Sequence, residues 1–347
     1  MPIRDRQSLF RAADDTLSRD GAGLQQLLLI YLAIITTLSL AASALTVVLS
    51  GRIENTGGLS NFGLRSVLST AQTVLPLVQT AVMVGLQLGY TRAALCASRG
   101  KRFSRDTLFG GFRRLIPMAC AYMLQGVLYG FLAMTSMYFA SFIFLMLPAS
   151  ADFQALIAPL MRSMSVMTNE IVLDEATLMA ASSTLLPVIW IWLAVFLPLF
   201  LPAYYRYRMT MFRLIDQERP RPLLAMRESL TMLQRNRIAL LKIDLKLWWY
   251  YLLQALVTAV CYGDQLLPLL GVNLPFTPEI NYFLFLILSL ALQFELFYFA
   301  MNRVTLVYAA AYEALLSAFE EKNAQMQERF NHMTKSRCGP WKDDQPE

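Results

Sequence analysis

Residues 184–203 read TLLPVIWIWLAVFLPLFLPA, and residues 204–213 continue as YYRYRMTMFR. The first stretch is twenty residues long and carries no charge. A helix of about 20 residues spans a hydrocarbon core of about 30 Å. The second stretch combines tyrosine with arginine, and both are typical of the interface where such a helix leaves the core. Together they predict a transmembrane helix that ends in the headgroup layer.

The composition of the whole chain points the same way. Of its 347 residues, 56% are hydrophobic and 16% are charged, whereas soluble domains have about 25% charged residues. A lipid-exposed backbone must satisfy its own hydrogen bonds, so helices are expected. We predict an all-α polytopic membrane protein with about six transmembrane helices. The six apolar segments are residues 24–49, 67–90, 115–147, 183–205, 247–262 and 281–300.

Lysine and arginine predict the orientation of these spans. With the N-terminus inside, 27 of the 30 basic residues lie on the inner side, and only Arg52, Arg65 and Arg162 lie outside. This asymmetry predicts that both termini are cytoplasmic in a bacterial plasma membrane. The predicted organisation is a cytoplasmic amphipathic N-terminal segment (1–23), a six-helix membrane domain (24–316) and a polar cytoplasmic C-terminal tail (317–347).

Two basic groups in the inner loops are candidate contacts for anionic lipid headgroups. Simple anchoring of the topology is the alternative interpretation. The net charge of +6 does not indicate nucleic acid, because no basic patch falls within a nucleic-acid motif. The candidate residues are Arg99, Lys101, Arg102, Arg206, Arg208 and Arg213.

The first inner loop predicts an amphipathic interfacial helix. Gly100 would end the preceding helix, and Ser104 or Asp106 would cap the next one. The predicted apolar face that follows, at helical spacing, consists of Leu108, Phe109, Phe112, Leu115 and Ile116.

The second inner loop has the same plan, with Pro220 and Pro222 as helix breakers. Either interfacial helix could instead dock an unidentified membrane or cytoplasmic protein partner. The polar side of the helix in this second loop would carry Glu228, Thr231 and Arg235. Its predicted apolar face consists of Leu223, Met226, Leu230 and Leu233.

Polar residues inside the predicted spans leave transport open. Gln72, Gln79 and Gln87 lie in the second span, where Pro76 could break the helix. Such amides can line a path for a small solute or ion, but they also join helices by hydrogen bonds. In the outer loop, residues 148–182 predict one or two short helices, with a substrate lid as the alternative.

Glu295 is a candidate intramembrane polar site. It lies fourteen residues beyond Asn281, so about 21 Å along a helix. A charge at that depth tends to face the protein interior. The residue is expected to be a structural carboxylate, protonated or paired with a base such as Arg303. The alternative is a proton- or cation-coupling site.

Two stretches resemble a known family. Residues 86–115, LQLGYTRAALCASRGKRFSRDTLFGGFRRL, are similar to its pattern of a span ending in Gly-Tyr, an Arg-Gly stretch and Asp-x-Leu-Phe-x-Gly-Phe. Residues 225–256 read AMRESLTMLQRNRIALLKIDLKLWWYYLLQAL. They resemble a second pattern of the family, which is an Ala-x-x-x-Ser helix, a polar turn, Leu-x-Leu and then a span that begins with aromatic residues. The family is the bacterial membrane-protein group called domain of unknown function 975. Arg235-Asn236-Arg237 departs from its usual Gly-Asn-Lys. The resemblance implies a multi-helix bacterial plasma-membrane protein and implies no activity.

The sequence contains no motif for catalysis, cofactor binding or metal binding. It lacks a Walker loop, a GxSxG elbow, a HExxH helix and a dinucleotide fingerprint. His332 is the only histidine and lies in the polar tail. We therefore predict a structural or partner-binding membrane protein that is not an enzyme, with a transporter or permease component as the alternative.

Overall fold

The computed structural model describes residues 6–55, 62–146, 175–234, 236–264, 267 and 277–337. Within these ranges the chain is helical and has no strand. It includes a 3-10 turn, Gly110–Arg114, and a π-helical turn, Phe297–Met301. The helices are α1 (Arg6–Asn55), α2 (Phe62–Ser98), α3 (Arg105–Phe109), α4 (Leu115–Leu145), α5 (Glu175–Tyr207), α6 (Thr210–Asp216), α7 (Pro222–Leu233), α8 (Arg237–Lys246), α9 (Trp248–Cys261), α10 (Pro278–Leu296) and α11 (Asn302–Arg337).

Five helical stretches of the described chain are long and apolar enough to cross a membrane. They contain the first, second and sixth predicted spans and cover most of the third and fourth. The fifth is a helix too, but α9 has only 14 residues. At about 1.5 Å per residue it is about 21 Å long, which is shorter than a hydrocarbon core of about 30 Å. The prediction of about six transmembrane helices is thus confirmed as five long helices and one short apolar helix.

The first and last helical stretches are longer than a bilayer requires. α1 has 50 residues and is therefore about 75 Å long. Its N-terminal part buries Leu9, Phe10, Ala13 and Thr16, whose spacing puts them on one helical face. At the other end, α11 continues to Arg337, so the predicted tail is helical over much of its length.

The chain forms two compact units. The first comprises the described residues of Met1–Met118 and Met209–Glu347, and the second comprises those of Ala119–Arg208. In the first unit α1 packs along α2 and α11, α9 packs against α10, and α6 packs against α7. This unit contains both of the predicted interfacial regions.

Glycines let two main chains of the first unit touch. A Cβ atom on Gly89 of α2 would overlap the carbonyl of Leu108, and one on Gly111 would overlap backbone atoms of Gly85 and Gly89. Phe112 then packs its ring over Gly85. Only glycine permits this approach, because any larger side chain would push the segments apart. The crossing fixes the loop between α2 and α4 against α2.

A ladder of aromatic rings runs along α5 in the second unit. Trp192, Phe196, Phe200 and Tyr204 follow each other at four-residue spacing, with ring centroids 5.0, 4.9 and 5.7 Å apart. The Arg208 guanidinium lies 4.9 Å from the Tyr204 ring centroid, one turn further on. This periodicity puts all five side chains on one helical face. The opening stretch therefore forms a helix with an aromatic face, and that face ends in a cation–π contact.

Helices lie in both loops where the sequence predicts them. Gly100 has φ +66° and ends the helical stretch, and Ser104 precedes α3, with its N–H donating to Thr107 Oγ1 at 3.1 Å. Leu108 is buried, whereas Phe109 and Ile116 are exposed. The 3-10 turn, which has about three residues per turn, separates α3 from α4.

The residues that α7 buries within the protein share only Leu233 with its predicted apolar face, which is expected to lie in the membrane interface. The buried residues are Ala225, Ser229, Met232 and Leu233, and Leu223 is exposed. Small residues point inward, so α7 can approach its neighbours closely. The outer segment 147–174, which includes most of the predicted lid, lies outside the described residues.

Candidate functional site: a cluster of ion pairs

A cluster of ion pairs joins four elements of the first unit, and Arg99 begins it. Arg99 directly follows α2, and its Nη1 lies 2.5 Å from Asp216 Oδ1 of α6. Its Nε donates to Glu313 Oε1 of α11 at 2.7 Å. The hydrogen bond with Asp216, which outweighs the effect of burial, raises the pKa of the Arg99 guanidinium above its ordinary value. One side chain thus links the end of α2 to α6 and α11.

Arg213 extends the cluster to α7. Its Nε donates to Glu228 Oε2 at 2.5 Å, and its Nη1 lies 3.9 Å from Asp216 Oδ2. The side chains of Arg213 and Glu228 are each 18% exposed, and that of Asp216 is 14% exposed. Charges removed from water to this degree are stabilised only when they are well paired. Two guanidinium groups and three carboxylates therefore form one partly buried network.

Further hydrogen bonds extend the network to Tyr312, Gln217 and Arg114. Tyr312 donates from its hydroxyl to Asp216 Oδ2 at 3.0 Å, and its ring stacks on Phe212 with centroids 5.6 Å apart. Gln217 donates to Glu228 Oε2 at 2.8 Å, while Arg114 donates to the backbone carbonyl of Gln217 at 2.5 Å. The cluster therefore also holds the end of the 3-10 turn, and it can act as a rigid joint between helices.

The six predicted lipid contacts separate into two kinds. Arg99 and Arg213 lie in the cluster and point their guanidinium groups at carboxylates. Lys101, Arg102 and Arg206 are exposed, and Arg208 packs on Tyr204. Contact with an anionic headgroup stays a prediction for these residues, and exposure favours it most for Lys101, Arg102 and Arg206.

Glu295 lies on the exposed side of α10. Arg303, its suggested partner, instead donates to Asp14 Oδ2 at 3.0 Å. The expectation that Glu295 points into the protein is therefore not met by its position in the described chain. Its role, structural or coupling, stays a prediction.

The glutamines of the second span have different surroundings. Gln79 donates to Ser39 Oγ at 3.1 Å and so joins α2 to α1, as expected for an amide that holds helices together. Gln87 is exposed. The helix continues through Pro76 without a break, so the second span does not contain the interruption that a discontinuous transport helix would need.

A second group of polar residues lies between α2, the α8–α9 segment and α11. The Tyr90 hydroxyl donates to Asn302 Oδ1, and both side chains are buried. The Tyr308 hydroxyl donates to Asp244 Oδ1 and lies 2.6 Å from the Tyr251 hydroxyl. Asp244, which lies just before the fifth predicted span, therefore accepts a hydrogen bond from the Tyr308 hydroxyl. These polar contacts join helices within the first unit.

Most of these partners are hard to find from sequence. Asp216, Glu228 and Glu313 come from three different elements, and up to 214 residues separate the atoms that pair. The local signal is weak, because Asp216 and Glu228 are two of four acids in the basic segment 206–246. Among the described residues, no group of three or more His, Cys, Asp or Glu side chains could hold a metal ion.

The fold and the cluster together define the class, an all-α polytopic membrane protein whose loops are joined by ion pairs. No family model matches the chain, and neither a curated protein nor a solved structure does. The likeness to the family with domain of unknown function 975 therefore stays a prediction from the two stretches that carry it.

Proposed function

We propose that this chain is a bacterial plasma-membrane protein with cytoplasmic termini that works by holding structure or binding a partner, without catalysis. The observation that carries the proposal is the ion-pair cluster. It ties the end of α2, α6, α7 and α11 together through paired charges, so the predicted cytoplasmic loops form one fixed surface. Fixed surfaces suit recognition, because less conformational entropy is lost on binding. The resemblance to a bacterial membrane-protein family supports the location.

A purification in mild detergent after cross-linking in cells tests this function. We expect one protein partner at a constant ratio to the chain across repeated preparations. The matched control is the same purification from cells that carry Arg99→Gln with Arg213→Gln, which loosens the fixed surface and should lower that ratio. Purified chain that gives substrate-dependent flux in vesicles, with no partner retained, would overturn the proposal in favour of a small-solute or ion transporter.

Cysteine labelling in intact cells tests the proposed orientation. The native cysteines are first replaced, and an impermeant thiol reagent is applied to Arg102→Cys, Arg219→Cys and Asn273→Cys. We expect labelling at position 273 only, because the other two positions lie in basic loops. Labelling at 102 or 219 but not at 273 contradicts cytoplasmic termini.

A further inference from the structure

Two arginines come together where the loop between α2 and α4 crosses α2. Gly111 of the 3-10 turn packs against the backbone of Gly89 on α2. Arg92 follows Gly89 by three residues, so it lies on the same side of α2. Arg114 follows Gly111 by three residues, which is about one full turn of a 3-10 helix. The glycine crossing therefore brings both side chains to one place in the first unit.

The two guanidinium groups lie close enough to affect each other. A Cβ atom on Gly110 would lie 3.6 Å from Arg92 Nη1, so the Arg92 side chain reaches the 3-10 turn. Burial of the Arg114 guanidinium and, after it, the positive charge of Arg92 lower the pKa of Arg114 from its ordinary value. Two like charges are thus held side by side at the cost of mutual repulsion.

Neither charge is neutralised by an acid of the described chain. Arg92 is exposed, and its guanidinium forms no hydrogen bond or ion pair with another described residue. Arg114 donates to the backbone carbonyl of Gln217 at 2.5 Å but has no acidic partner among those residues. In the ion-pair cluster, by contrast, Arg99 and Arg213 each lie beside two carboxylates. The Arg92 and Arg114 pair therefore calls for an anion from outside the described chain.

A phosphate group has the chemistry that this pair fits. Each guanidinium presents a planar fork of N–H donors, which matches the oxygens of a phosphate. The hydrogen bond to Gln217 uses one donor of Arg114 and holds its side chain in place, while most of its N–H groups stay available to a ligand. Because Arg92 is exposed, a ligand can reach the pair from outside the protein.

The pair also lies at the level where lipid phosphates are expected. Arg92 comes two residues after the second predicted span (67–90), and Arg114 directly precedes the third (115–147). Basic residues that flank spans lie among the headgroups of the bilayer. A lipid headgroup and a soluble phosphate both offer the required group.

We propose that Arg92 and Arg114 together bind one phosphate group. The proposal does not depend on the function proposed above, because it concerns an anion and not a protein partner. It also differs from lipid contact by single exposed basic residues, since it requires two guanidinium groups that act on the same anion.

Titration of the full chain in detergent tests the site and separates the two sources. The lipid probe is phosphatidylglycerol, with bound lipid counted by native mass spectrometry and zwitterionic phosphatidylcholine as the comparison. The soluble probe is inorganic phosphate, followed by calorimetry. Tighter binding of phosphatidylglycerol than of either other probe identifies a lipid headgroup, and binding of inorganic phosphate at least as tight identifies a soluble phosphate. Failure of the wild type to bind phosphatidylglycerol and inorganic phosphate overturns the proposal.

Two matched variants locate the binding. Arg92→Gln removes one guanidinium without breaking a contact within the described chain, and it should weaken binding of the preferred probe roughly tenfold. Arg113→Gln is the control, because Arg113 is an exposed arginine of the same 3-10 turn. It should weaken binding less than about twofold. Equal losses in the two variants overturn the proposal, since binding would then follow only the total charge of the loop.

Arg92→Glu supplies a second readout, which is stability without added anion. The carboxylate would take the place proposed for the phosphate, so attraction to Arg114 replaces repulsion. We expect a melting temperature at least as high as that of the wild type, together with loss of phosphate binding. Circular dichroism checks folding, and Arg92→Glu decides if Arg92→Gln does not fold. A lower melting temperature or unchanged phosphate binding overturns the proposal.

Discussion

Arg99 and Arg102 lie three residues apart in one basic loop, yet their surroundings differ. Arg99 contacts Asp216 and Glu313, whereas Arg102 is exposed. By composition both belong to the same predicted cytoplasmic charge excess, and both are predicted to contact lipid. A basic residue can therefore contribute to the charge asymmetry that predicts orientation and also form ion pairs within the protein. The carboxylates brought to it by the fold decide which role it has.

The largest effect is expected from the helix crossing that holds the Arg99 loop in place. A methyl group added by Gly89→Ala would overlap the carbonyl of Leu108, and the backbone would have to move. We expect the free energy of unfolding to fall by about 3 kcal/mol. Arg99 should also lose its ion pairs and become exposed, as Arg102 is. Denaturant unfolding in detergent measures it.

Gly126→Ala is the matched control for this substitution. Gly126 is also a helical glycine, but a Cβ there would meet no atom within 4 Å. Alanine favours helix over glycine, so this variant should be at least as stable as the wild type. Equal stability of the two alanine variants would contradict the close crossing.

The next effect comes from breaking the cluster itself. Arg99→Gln leaves Asp216 and Glu313 without their main cationic partner. Loss of one member of a buried pair costs about 3–5 kcal/mol, but the Arg99 side chain is 23% exposed, so we expect about 1–2 kcal/mol of destabilisation after discounting for solvent. The control, Arg102→Gln, should change stability by less than about 0.5 kcal/mol.

A double substitution separates pairing from general damage. Adding Glu313→Gln to Arg99→Gln removes one of the carboxylates left unpaired, so part of the lost stability should return. A double variant that loses the sum of both single effects would show that the two residues do not interact.

The sequence predicts the helices well and the cluster poorly, for physical reasons. Apolar segments of about 20 residues are local signals, so the opening stretch could be assigned to a span from its own composition. Pairing between Arg99 and Glu313 depends on the folded path of two distant helices, which no local pattern encodes. On α7 the protein buries Ala225 and Ser229, whose small size allows close packing, and leaves the larger Leu223 exposed, and no local pattern predicts that choice.

A smaller effect is expected at the exposed basic residues Lys101 and Arg102. Lys101→Gln combined with Arg102→Gln should weaken retention of anionic lipid by about 1 kcal/mol per charge and leave unfolding unchanged. Native mass spectrometry of the detergent-released protein measures the bound lipid. Unchanged retention would mean that these residues only set topology, and lost stability would mean that they belong with Arg99.

The smallest effect is expected at Glu295, which lies on the exposed side of α10 and forms no ion pair with another described residue. Glu295→Gln keeps the size and hydrogen-bonding groups of the side chain and removes its charge. A charge near the middle of a bilayer costs about 2.5–3.5 kcal/mol on insertion, so the variant should insert at least as well as the wild type. Because Arg303 pairs with Asp14, the thermal stability in detergent should stay the same. A clear loss of stability would show that Glu295 has a structural partner within the membrane. Preserved stability with loss of a proton-dependent flux would instead place it on a coupling path and favour the transport alternative.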